Sequence, residues 1–285
     1  MEQLSGEEIR RAVKLALEED IGSGDVTTLA TMPEHARGSA TMAAREHMVV
    51  AGLALAVAAF TERSDEIQIE QFVPDGQHVG PKERLMRVYG PVRAILSAER
   101  VALNFVQRLS GIATLTTQFV EAVSGTKATI LDTRKTTPGW RRLEKYAVTC
   151  GGGQNHRLGL FDRILIKDNH LAALRDELPN AVTVAVQRAR QSYPHLKLEV
   201  EADTLEQVDQ AVAAGVDVIL LDNMKADELR AAVQHVGGRA QTEASGGVTL
   251  ANVRAIAETG VDFISIGALT HSARAVDIGL DVQTD

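Results

Sequence analysis

Residues 197–222 read K-L-E-V-E-A-D-T-L-E-Q-V-D-Q-A-V-A-A-G-V-D-V-I-L-L-D. The alternating stretch Lys197–Glu201 predicts a short strand. Thr204–Ala214 carries apolar residues at helical spacing behind a capping threonine, and Gly215 supplies a helix stop. Asp217–Leu221 then reads as a second buried strand. Strand, helix, glycine and strand in that order form a βαβ unit, whose strands lie parallel. The pattern recurs on both sides. Strands are predicted at Ala128–Asp132, Ile164–Lys167, Ala240–Glu243 and Asp262–Ile266, and helices at Ala226–Val236 and Leu250–Thr259, with Gly260 repeating the stop at Gly215. Repeated βα units predict a (β/α) barrel. Six strands are visible, so the barrel either hides one or two more or is incomplete.

Upstream the character differs. Ser5-Gly6-Glu7-Glu8 is a capping box that opens a helix through Ile9, Val13 and Leu17. A loop follows at 20–25. Strand-like runs at Ser39–Ala44, Ile67–Val73 and Arg84–Tyr89 are separated by turn residues, and Ser97–Val123 predicts a long helix with a break at Gly111. The expected organisation is an N-terminal α/β domain over 1–110 and a barrel domain over 111–285. The last segment is a candidate to pack back on the first domain.

Composition excludes several classes. The 285 residues carry a formal net charge of -8, against nonspecific nucleic-acid or anionic-membrane binding. Cys150 is the only cysteine, so neither an intrachain disulfide nor a cysteine-based zinc site is possible. A reducing cytoplasm is the expected compartment. The N-terminal stretch has no apolar signal core. The longest apolar run, Met48–Phe60, falls short of the ~20 residues a bilayer span requires and reads as a buried strand-turn-helix.

Against that acidity, 132–170 holds eight Lys/Arg and four acids, a local +4. Cations gathered in one place on an acidic chain point to an anion pocket. Polar residues also cluster at the C-terminal ends of the predicted strands: Asp132-Thr133-Arg134-Lys135, Lys167-Asp168-Asn169-His170, Glu199 and Glu201, Asp222-Asn223, Glu243 with Ser245-Gly246-Gly247, and Gly267. In a barrel these tips converge on the face where active sites are built. In Leu198-Glu199-Val200-Glu201 the pleat sends both carboxylates to one side. They either point into the barrel or pair with nearby Lys and Arg. Glu201 and Asp222 could together hold Mg²⁺ or sugar hydroxyls. Ser245-Gly246-Gly247 before a helix start, and Gly267-Ala268 after the last strand, match the phosphate loops of barrels. Arg134, Lys135, Arg157 and Lys167 suit a ligand bearing carboxylates and phosphates. Three glycines, Gly151 to Gly153, precede His156 and Arg157 and would bend them toward the pocket. Arg141 and Arg142 are expected on a solvated surface loop, and His170 and His271 as structural hydrogen-bonding groups.

These strings resemble the quinolinate phosphoribosyltransferase family, also called carboxylating nicotinate-nucleotide pyrophosphorylase. The resemblance is carried by Glu19–Thr27, Glu99–Thr114, Leu131–Gly139, Lys145–Arg157, Leu165–His170, Leu198–Glu201, Leu220–Asn223, Glu243–Gly247 and Gly260–Ser272. Trp140 stands where Leu is usual, and Ala202 where a larger apolar residue is common. The resemblance implies an N-terminal α/β sandwich and a C-terminal (β/α) barrel with fewer than eight full units, the type II phosphoribosyltransferase plan. It implies that Arg100, Thr133, Arg134, Lys135, His156, Arg157 and Lys167 bind quinolinate. Glu201, Asp222, Ser245, Gly246, Gly247, Ile266, Gly267 and Ala268 would bind phosphoribosyl pyrophosphate. Lys135, Glu201 and Asp222 would be catalytic, with Mg²⁺ near Glu201 and Asp222. The family works as a homodimer or larger, which would place Arg100 in a neighbour's site. The implied reaction gives nicotinate mononucleotide, pyrophosphate and CO₂. Rival readings are a molybdenum-transport-associated paralogue acting on another base, a Schiff-base aldolase using Lys167, and a non-catalytic anion sensor.

Overall fold

Helices and strands alternate along the chain in the computed structural model, which describes residues 3–284. In order they are α1 (Gly6–Ile21), α2 (Val26–Thr31), β1 (Arg37–Ala44), β2 (Met48–Val49), α3 (Leu53–Thr61), β3 (Gln68–Gln71), β4 (His78–Val79), β5 (Arg84–Pro91) and α4 (Val92–Ala122). Then come β6 (Thr129–Leu131), α5 (Arg141–Cys150), β7 (Ile164–Ile166), α6 (Asp168–Ala172), α7 (Ala181–Ser192), β8 (Leu198–Ala202), α8 (Leu205–Ala214) and β9 (Val218–Asp222). Last are α9 (Ala226–Val236), β10 (Gln241–Ser245), α10 (Val253–Ala257), β11 (Phe263–Ser265), α11 (Ala268–His271) and β12 (Ile278–Thr284).

The chain divides into two compact units that are not consecutive in sequence. One takes residues up to Thr117, Thr137–Gly152 and the chain from Ser272 onward; the other takes Gln118–Thr136 and Gly153–His271. The boundary expected near residue 110 falls inside the continuous helix α4.

In the first unit an antiparallel sheet runs β12-β1-β5-β3. Alternation along β1 buries Ala40, Met42 and Ala44. The capping box at Ser5 and Glu8 opens α1 as expected. Glu8 also accepts from Arg142 Nε at 2.6 Å, so Arg142 is paired and opens α5 instead of lying on a solvated loop. Gly111 does not break α4. A Cβ there would stand 1.9 Å from the Arg274 carbonyl oxygen, so this glycine serves the close approach of a neighbouring backbone. Trp140, the departure from the family pattern, stacks on Phe105 with ring centroids 5.0 Å apart.

The second unit is a parallel sheet in the order β6-β11-β10-β9-β8-β7. All six predicted strands are present, and Gln154 forms a further parallel bridge to Leu131 on the β6 edge. This is an α/β barrel with fewer than eight units. Gly215 ends α8 in the left-handed conformation that the sequence predicts. Leu198 and Val200 of β8 are wholly buried, each worth ~1.5–3 kcal/mol relative to exposure. That burial fixes the register, so Glu199 and Glu201 must share the opposite side of the strand.

Candidate active site

The C-terminal ends of the second unit's strands surround a cavity of about 800 Å³. Thr133, Arg134 and Lys135 after β6, His156 and Arg157, and Lys167 after β7 line one part of it. Glu201 of β8 and Asp222 of β9 line another. Ser245 at the end of β10 with Gly246 and Gly247 after it, and Ile266, Gly267 and Ala268 after β11, complete it. Arg100 alone among the expected contacts is elsewhere, exposed on α4 in the first unit. His271, expected to be structural, also lines the cavity, whereas His170 accepts the Lys167 backbone N–H at 2.9 Å, as a structural histidine would. A hollow of about 590 Å³ at the other strand ends gathers Lys127, Asp217 and Asp262, but Lys127 is paired with Asp262 and Asp217 with Arg190.

The cationic wall is held from β6. Buried Asp132 accepts the His156 backbone N–H at 2.8 Å, and Gln154 pairs with the same strand. Lys135 lies along Gly267, where a Cβ would come 2.9 Å from its Cδ, and its carbonyl accepts from Thr270 Oγ1 at 2.8 Å. Burial, then the charge of Arg134, pulls Arg157 down from the usual guanidinium range, though it remains a cation. Two guanidiniums held close in a partly dry wall favour an anion between them.

Across the cavity, Glu201, Asp203 and Asp222 have oxygens all within 4.8 Å of one another. Burial, then Glu201 and Asp203, pushes the Asp222 carboxyl up; burial, then Glu201 and Asp168, does the same to Asp203. Lys167 Nζ, 2.9 Å from Glu201 Oε2, offsets part of that charge. Such an acidic, half-exposed oxygen set fits a hard cation that keeps some of its waters, as Mg²⁺ does. Asp203 sits one residue past β8 and escaped the strand-tip reading.

The glycine loop is shaped by its neighbours. Asn223 adopts φ 54, donates its N–H to Ser245 O at 2.9 Å and donates Nδ2 to Asp222 Oδ2 at 2.5 Å. Gly246 has φ 93, and a Cβ there would stand 2.1 Å from Asn223 Oδ1. Only glycine fits, and its exposed backbone suits close approach by a phosphate. Asn252 staples the far side, accepting from Thr249 N at 2.7 Å and donating to Gly247 O at 2.9 Å.

Deeper in the barrel, Glu199 and Glu243 have no exposure at all. Burial pushes Glu243 well up, helped by the charge of Glu199. Burial also raises Glu199, but His156 and Arg163 outweigh it and hold Glu199 lowered.

Family models assign what the geometry organises. Residues 25–110 match the quinolinate phosphoribosyl transferase N-terminal domain, and residues 112–281 match the C-terminal domain. The chain belongs to the quinolinate phosphoribosyl transferase family. It is 46% identical over 279 residues to a carboxylating nicotinate-nucleotide pyrophosphorylase of Mycobacterium leprae, covering 96% of each chain. It is 44% identical over 265 residues to a probable enzyme of the same name from Bacillus subtilis, covering 93% of this chain and 90% of the relative. Among solved structures, the nicotinate-nucleotide pyrophosphorylase of Francisella tularensis superposes with a TM-score of 0.93 at 40% identity, covering 99% of this chain and 98% of that one.

Proposed function

We propose that this chain transfers the phosphoribosyl group of phosphoribosyl pyrophosphate to quinolinate with loss of CO₂, giving nicotinate mononucleotide and pyrophosphate. One observation carries the reading: a cationic wall, an acidic wall and two glycine-bearing loops share one cavity. Quinolinate has two carboxylates for Arg134, Arg157 and Lys167, with Thr133 and His156 beside them. The sugar phosphate has an anion for Ser245–Gly247 and Ile266–Ala268, and hydroxyls for Glu201 and Asp222.

Chemistry follows from the placement. The cationic wall orients the pyridine so that its nitrogen faces C1 of the ribose, and positioning of this kind is a large share of catalysis. The C1–O bond to pyrophosphate breaks with its electron pair leaving on oxygen, and the ring nitrogen supplies the pair for the new C1–N bond. Glu201 and Asp222 stabilise the positive charge that develops at C1. Lys135 stabilises the departing anion. Glu201, Asp203 and Asp222 would hold Mg²⁺ directly or through water, and the ion would supply charge neutralisation for pyrophosphate. The bond to the carboxylate beside the ring nitrogen then breaks. Its electron pair stays on that carbon next to the cationic nitrogen, and a proton from water replaces CO₂.

Arg100 is exposed and makes no hydrogen bond or ion pair among the described residues, which supports a role in a neighbour's site within a homodimer or larger assembly. Sedimentation at working concentration tests the assembly, and a monomer would exclude it. No helix among the described residues is long and apolar enough to cross a membrane, and we place the enzyme in the cytoplasm. A fractionation with the activity in membranes would refute that. The functional test offers the protein phosphoribosyl pyrophosphate and Mg²⁺ with either quinolinate or nicotinate. Product from quinolinate alone supports the reading; product from nicotinate alone assigns a different base.

A further inference from the structure

The proposed chemistry makes no use of two acids on the barrel's floor. Glu199 of β8, Glu243 of β10 and His156 are all buried there. Neither Glu243 oxygen meets a donor at hydrogen-bond geometry. Two wholly buried carboxylates are costly in a barrel that apolar residues could fill. A cation bound among the three groups would account for them, but Arg163 already sits 3.4 Å from Glu199 Oε2 and supplies positive charge.

The histidine ring gives a better account. Its Nδ1 accepts the Arg157 backbone N–H at 2.7 Å. A ring nitrogen that accepts carries no proton, so the proton is on Nε2. Nε2 lies 3.1 Å from Glu199 Oε2 and 3.5 Å from Glu243 Oε2, within ion-pair distance but off the line of a hydrogen bond to either. Nδ1 is thus bonded to the Arg157 backbone, while Nε2 stands against the two floor carboxylates. The ring joins the two carboxylates to the residue that lines the cationic wall.

We propose that Glu199 and Glu243 are positioning residues that grip the His156 ring at Nε2, so that Nδ1 fixes the Arg157 backbone and aims its guanidinium at the substrate's dicarboxylate. His156 is then a strut, and Arg157 the group that meets the ligand. This deepens the functional reading and rests on its assignment of quinolinate to the cationic wall. It differs from a purely electrostatic role for the acids, because a neutral side chain with an oxygen acceptor should serve as well as a carboxylate.

The experiment is calorimetric titration of quinolinate into the wild-type protein and into Glu199→Gln, Glu243→Gln, Glu199→Leu and Glu243→Leu. Quinolinate and phosphoribosyl pyrophosphate KM values are measured in parallel. Gln keeps a polar oxygen beside Nε2–H, so both Gln variants should hold most of the affinity. Leu removes it, and each Leu variant should weaken quinolinate on the order of 10–100-fold, the scale of a misplaced contact, with the phosphoribosyl pyrophosphate KM unmoved. Leu variants that bind like wild type, or Gln variants as weak as Leu, overturn the proposal. If the Leu variants do not fold, the ¹⁵N spectrum of histidine-labelled wild type decides, with the His156 signals assigned by their loss in His156→Gln. A protonated Nε2 with a bare Nδ1 supports the strut, and a protonated Nδ1 overturns it. That spectrum is read without ligand, so it stands apart from the functional reading. Wild-type protein that shows the expected tautomer but no quinolinate binding refutes the reading, and with it the target of the strut.

Discussion

Glu199 and Glu201 leave the same strand on the same side, two residues apart, and meet different environments. Glu199 is wholly buried, against His156, Arg163 and Glu243. Glu201, 8% exposed, lies where β8 opens into the cavity, beside Lys167, Asp203 and Asp222. Depth along one strand therefore separates two kinds of acid. The lower pair braces a wall from behind, and the upper set faces ligand. Residue type and strand membership are the same, so the difference comes only from how far each side chain stands below the rim.

The contrast can be broken by exchanging charge at the two depths. The largest effect is expected from Glu201→Gln, which removes charge facing the reacting carbon. It should lower kcat on the order of 10²–10³-fold with quinolinate affinity little changed, in steady-state and binding measurements. A normal kcat would place Glu201 with the bracing acids. Arg157→Ala comes next. It removes a ground-state contact, so it should raise the quinolinate KM by about 10–100-fold and leave kcat within a few-fold, from a lost charged hydrogen bond of ~1.5–3 kcal/mol. An unchanged quinolinate KM refutes the wall. Gly246→Ala should raise the phosphoribosyl pyrophosphate KM about tenfold and spare quinolinate binding, since the loop must move away from Asn223. Equal losses for both ligands would show that the two walls are not separable.

The smallest effect sharpens the comparison from outside it. Glu46 belongs to neither acidic set. Arg274 binds it at both carboxylate oxygens and the Asp277 N–H adds a third bond, which lowers its pKa from 4.5 to about 2. A lowered carboxyl favours the folded state above the unfolded pKa. That contribution is lost as pH falls from about 4.5 toward about 2. Glu46→Gln should therefore lower Tm by about 1–3 °C at neutral pH, with the difference closing toward pH 2 and activity unaffected. A Tm gap that persists at pH 2 would show a packing role instead.

Most of the barrel was legible because its strands are short apolar runs with polar tips, and the tips converge once the sheet is parallel. Depth was not legible. The sequence suggests a strand that ends at Glu243, but β10 continues to Ser245 and leaves Glu243 two residues below the rim. Asp203 looks like a turn residue in sequence and joins the acidic set only through the way the chain leaves β8. Gly111 reads as a helix break, and the backbone packed against it lies more than 160 positions away. Helix α7 is capped by Asn180 behind a Pro-containing loop that masks its start. Arg100 has no local signal beyond an exposed helical position.

The most direct test uses quinolinate labelled in the carboxylate beside the ring nitrogen. In a single turnover with phosphoribosyl pyrophosphate and Mg²⁺, labelled CO₂ should appear in a one-to-one ratio with nicotinate mononucleotide. No label should be released when phosphoribosyl pyrophosphate is omitted. Quinolinate that binds but keeps its label while pyrophosphate is set free, or an adduct trapped on Lys167 by borohydride, would contradict the account.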